Sequence, residues 1–105
     1  MSRNEKVAAY IGFSIKAGKL LYGYESVLAS RSRVHLIVCD KALADNSMKK
    51  VARFAAENNI TLFRVDDLAE YFQGRSVKCI GFTEENLASA AAHQLNNTSE
   101  VVTDE

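Results

Sequence analysis

The sequence predicts an α/β domain, a three-layer α/β/α sandwich in which helices cover both faces of a sheet. Three observations predict it. Short apolar runs such as VHLIVCD at 34–40 are bounded by charge, as in strands buried on both faces. Between these runs lie longer segments whose apolar residues recur at helical spacing. No proline interrupts the 105 residues and nothing repeats, so one compact domain is expected over residues 1–97.

The first helix is expected over about residues 3–17. SRNE at 2–5 has capping-box spacing with Ser2 as N-cap; Val7, Ala8, Ile11 and Ile15 share a face, and Gly18 supplies the stop. Gly12 inside that helix costs about 1 kcal/mol relative to alanine, which close backbone packing would explain. A short strand at 20–22 leads through Gly23 into a second helix reaching about Ser32, carrying Tyr24, Val27 and Leu28. After the strand at 34–40, Asp45 or Asn46 caps a third helix with Met48, Val51, Ala52 and Ala55 on its apolar stripe. Its other side carries Lys49, Lys50 and Arg53, read as a solvated face. ITLFRV at 60–65 is the next strand. Asp66 caps a short helix with Leu68, Tyr71 and Phe72 that ends at Gly74, and VKCIGF at 77–82 is the fourth strand. Thr83 caps the last helix, with Glu84 and Glu85 in the first turn, where the helix dipole favours them. Residues 98–105 have no packing pattern and are expected to form a disordered acidic tail. Alternation of this kind, taken alone, implies a parallel sheet.

No apolar stretch approaches the roughly 20 residues of a membrane span, and polar residues fill positions 2–6, so a cytoplasmic chain is expected. Cys39 and Cys79 lie inside apolar runs and read as reduced core cysteines. The formal net charge is zero but unevenly spread: residues 1–53 carry ten Lys/Arg against four acids, and residues 54–105 carry three against nine. Either one face is built for an anionic partner, or the halves interleave in space and neutralise each other.

Convergent catalytic chemistry is not evident. There is no G-x-G-x-x-G after a strand, no G-K-[ST], no G-x-S-x-G and no C-x-x-C. His35 and His93 have no partner in the pattern, and a helix cap accounts for the adjacent Asp66 and Asp67. The expectation is a protein that is not an enzyme, with no cofactor and no metal.

The order of elements, with AGKLLYG, LIVCDKALADNSMKKV, ITLFRVDDLAEYFQGR and GFTEENLASA, resembles the kink-turn RNA-binding ribosomal protein superfamily of the L-seven-Ae and L-thirty-e type. The likeness is greatest to the small bacterial YlxQ-type members and spans about residues 5–95. DNSMKKV is similar to the family's Asn-Thr-x-Lys-Lys-Leu helix opening, and TEENLA to its Thr-Asp-Glu-Asn-Phe-Ala close. The resemblance implies an L-thirty-e-like fold with a four-stranded mixed sheet rather than a parallel one.

It also implies a role for the glycine-led junction after the first strand, which in this family enters the widened groove of a sharply bent RNA stem. Glycine admits close backbone approach, free N–H groups favour phosphate, and first-turn side chains reach exposed base edges. The corresponding positions are Gly23, Tyr24, Glu25 and Ser26. Kink-turn readers carry Gly-x-Asn-Glu with a lysine three residues further on; here Glu25, Ser26 and Ala29 occupy those places. Glutamate has no amide donor for a base edge and repels phosphate, so phosphate contacts from Lys19, Arg31, Arg33 and Lys41 are expected to dominate, with Arg75, in the loop before the fourth strand, a further phosphate contact. Tyr24 either stacks on an extruded base or is a half-buried helix residue. Two functions follow as expectations. One is an RNA-binding accessory of translation that contacts structured RNA. The other is a protein-interaction module that kept the fold and lost the RNA site, with a homodimer among its forms.

Overall fold

A computed structural model of the chain describes residues 4–96 and 100–101. It is a small α/β domain with the order α1 (Glu5–Lys16), β1 (Leu20–Tyr22), α2 (Tyr24–Leu28), β2 (Leu36–Asp40), α3 (Asp45–Glu57), β3 (Thr61–Val65), a 3-10 helix (Leu68–Phe72), β4 (Cys79–Phe82), α4 (Glu85–Leu95) and β5 (Glu100–Val101). The sheet runs β1-β4-β2-β3, with the two-residue β5 on the outer edge of β3. It is mixed: β2 and β3 are parallel, while β4 is antiparallel to both β1 and β2. The parallel sheet implied by alternation is therefore not the one observed. The reason is local, because β4 returns from the 3-10 helix without a crossover that would reverse it.

β2 lies between β4 and β3, and all five of its residues are buried. Their alternation divides the core. Leu36 and Val38 join Phe63, Ile80 and Phe82 under α1, α4 and the 3-10 helix. Ile37 and Cys39 join Val27, Val51, Ala55 and Leu62 under α2 and α3. Helices thus cover both faces, each through a stripe of apolar residues. Gly81 makes room for side chains on the second face, since a Cβ there would lie 3.0 Å from a Val27 methyl.

Several expected details differ. Asn4 caps α1, its side-chain oxygen accepting from the Lys6 and Val7 amides; Ser2 lies outside the described residues. The α3 cap is Ala44 with no side-chain bond, and Asp45 opens the helix itself. Glu84 caps α4 by accepting from the Leu87 amide, while the Thr83 hydroxyl donates to the Lys19 carbonyl. The segment after β3 starts from Asp67, not Asp66, and is a 3-10 helix. α2 is half the expected length, ending at Leu28. No atom lies within 4 Å of a Cβ built on Gly12, so close packing does not account for that glycine. Within the tail expected from residue 98, Glu100 and Val101 pair antiparallel with Arg64 and Phe63; its other residues lie outside the described ones.

Candidate nucleic-acid interface

The strand directions place specific loops together. β1, β2 and β3 all run toward one end of the sheet, where β4 begins. That end carries, side by side, Gly23, the 73–78 loop, Lys41 and Asp66. The Gly23 amide donates to the Cys79 carbonyl at 2.7 Å, the Asp40 amide to the Lys78 carbonyl at 2.8 Å, and the Lys41 amide to the Val65 carbonyl at 2.9 Å. These bonds join four segments into one rim.

Gly23 has φ 85 and ψ 148, a conformation essentially restricted to glycine, and no side chain caps α2 behind it. Nothing lies within 4 Å of where its Cβ would be. The glycine is therefore needed for the backbone angle, and the space beside it is open. As in any α-helix, the first amides of α2, on Tyr24, Glu25 and Ser26, have no acceptor within the helix. Five residues make a small dipole, so the corner offers individual N–H donors rather than a strong macrodipole.

The neighbouring turn, directly after β2, is closed by a side chain of the strand, although α3 beyond it starts with no side-chain cap. Asp40 is 3% exposed, and its carboxylate accepts from the Ala42 amide at 2.7 Å and the Leu68 amide at 3.0 Å. This carboxylate satisfies the start of the 3-10 helix, the work expected of Asp66. Asp66 instead pairs with Lys41, with 3.0 Å between Nζ and Oδ1.

The expected site residues separate. Gly23, Glu25, Ser26, Lys41 and Arg75 lie at this end, all but Gly23 exposed. Lys19 lies at the opposite end, where its carbonyl accepts from the Thr83 amide. Arg33 stands there too, just before His35, whose amide donates to the Phe82 carbonyl. Arg31 is in the connection that carries the chain from α2 to that far end. Lys19, Arg31 and Arg33 therefore do not ring the Gly23 corner, because β1 and the short α2 carry the chain across the sheet and back. Tyr24 is half-buried and packs on the cluster around Val27. The exposed ring at the corner is Tyr22, 46% accessible, set edge-on to Phe72 with ring centroids 5.8 Å apart. Lys78, exposed beside the Cys79 carbonyl that anchors Gly23, joins the set although sequence reasoning passed over it. In sequence it falls inside the run read as the fourth strand, 77–82; β4 itself begins at Cys79, which leaves Lys78 in the loop at this end.

Beneath the rim, Cys39 and Cys79 face each other across β2 and β4, their sulfurs 3.4 Å apart and both fully buried. Hydrogen bonding to Cys79 and burial push the Cys39 thiol far above the ordinary cysteine range. It stays protonated near neutral pH and has little nucleophilic character. Among the described residues, no group of three or more His, Cys, Asp or Glu side chains converges as a metal site would require. Nor is any helix among them long and apolar enough to cross a membrane.

No protein-family model matches the chain, and no curated protein matches it either. Among solved structures it is similar to a protein of unknown function from Bacillus halodurans, with 18% identity and a TM-score of 0.74. The match covers 89% of this chain and 99% of the other. At that identity the likeness concerns the fold, a compact α/β domain.

Proposed function

We propose that this chain is a cytoplasmic RNA-binding accessory of translation, an L-thirty-e-like sandwich of the kink-turn superfamily that holds structured RNA at the Gly23 corner. The observation that carries this reading is the open corner itself. A glycine-only backbone, an empty space at the Cβ position and unbonded helix-start amides meet on that rim. Lys41, Arg75 and Lys78 stand in the flanking loops as phosphate partners. Glu25 is exposed beside the glycine and opposes phosphate, and Asp66 already neutralises part of the Lys41 charge. Affinity is therefore modest, about micromolar or weaker, and falls steeply with salt.

An anisotropy titration with a kink-turn stem and a straight duplex tests this. Tighter binding of the bent stem is expected, since a bent stem admits the corner into its widened groove. Equal binding of both reduces the function to phosphate contact. No binding of either at low salt removes RNA and leaves the second reading, a protein-interaction module. What favours that second reading is that Glu25 and the Lys41–Asp66 pair interrupt the positive surface around Gly23.

A further inference from the structure

We propose that the outer face of α3 is a second docking surface, which takes the phosphate backbone of the RNA whose bend is held at Gly23. The proposal rests on the RNA reading above and extends its footprint to residues that reading does not use. Asn46, Lys49, Lys50, Arg53, Phe54 and Glu57 line a shallow groove of about 400 Å³. Their spacing places them on one side of the helix, opposite the buried Val51 and Ala55. Lys49, Lys50 and Arg53 are exposed, and among the described residues none of them is joined to a carboxylate. This is the contrast with Lys41, whose charge has an internal partner.

Geometry links this face to the corner. α2 and α3 pack against each other on the same face of the sheet, and both start from the end that carries Gly23. A polyanion seated at Gly23 can therefore run along α3, whose 13 residues span about 20 Å. Lys49 and Arg53 are one turn apart, so both can face one strand. The chemistry of the groove selects phosphate over protein. Protein interfaces are depleted in lysine and rich in exposed aromatic anchors, whereas here two exposed lysines flank the one aromatic side chain, Phe54, which is half-buried. Glu57 closes the lower end of the stripe, and Asp45 stands at its start.

The test compares the wild-type chain with a Lys49→Gln, Lys50→Gln, Arg53→Gln variant, all three positions being exposed. Binding is measured against salt for kink-turn stems with short or long flanking arms, and for polyglutamate. The expected result is a plot of log affinity against log salt shallower by about two for the long-armed stem, with little change for the short-armed one. Glu57→Lys should steepen the same plot. An unchanged slope with the long-armed stem, while the wild type still binds it, overturns the α3 surface and leaves the Gly23 reading standing. Loss of polyglutamate binding without loss of RNA binding also overturns it and gives the face to an acidic protein. A wild-type chain that binds no RNA overturns both readings together.

Discussion

Two strand-to-helix junctions sit side by side at one end of the sheet, and the turns that leave their strands differ. After β2, the buried Asp40 carboxylate accepts the Ala42 and Leu68 amides and Lys41 pairs with Asp66, so the turn itself is tied down, although α3, like α2, starts with no side-chain cap. After β1, Gly23 turns the chain with no side-chain cap, and the space next to it is empty. The difference separates a corner that holds the domain together from a corner free to hold something else.

That contrast can be broken first at Asp40. Asp40→Ala removes two charge-assisted bonds, one to the buried Leu68 amide and one to the part-buried Ala42 amide, and a loss of about 3 kcal/mol in urea unfolding is expected. Asp40→Asn, which keeps an acceptor, should lose less. A loss below 1 kcal/mol would mean that water replaces the carboxylate and that this junction is not closed as described. Gly23→Ala comes next. Strain at φ 85 should cost about 1–3 kcal/mol, and RNA binding should fall although no charge changes. Gly12→Ala serves as the counterpart in the opposite direction. With nothing within 4 Å of the new methyl, the variant should gain about 1 kcal/mol and bind RNA as before. The smallest effect is at Lys41. Its pair with Asp66 is about half exposed, so Lys41→Gln should shift unfolding by no more than about 1 kcal/mol. A larger shift would make that pair part of the scaffold rather than a surface contact.

The strands were legible because buried strands need unbroken apolar runs, and VHLIVCD and VKCIGF supply them. Their direction was not, since neither run states which way it lies; the antiparallel β4 emerges only from the register with β1 and β2. This is why Lys19 and Arg33, close to Gly23 in sequence, belong to the other end of the sheet, while Lys78, remote in sequence, stands beside it. Helix caps were misplaced by one or two residues wherever candidates were adjacent. Asn4 lies within the capping-box spacing, two residues after Ser2, while Glu84 adjoins Thr83 and Asp67 adjoins Asp66. The cap of the 3-10 helix was beyond reach in principle, because its acceptor is Asp40, 28 residues upstream. Gly23 itself was readable, since a glycine between a short strand and a helix has few other reasons to be there.

The most direct test is a map of backbone amide shifts as a kink-turn stem is added to the full chain. The largest shifts are expected at Gly23, Tyr24, Glu25, Ser26 and Lys78. Shifts gathered instead around Lys19, Arg33 and Thr83, with the Gly23 amides unmoved, would contradict the role assigned to the open corner.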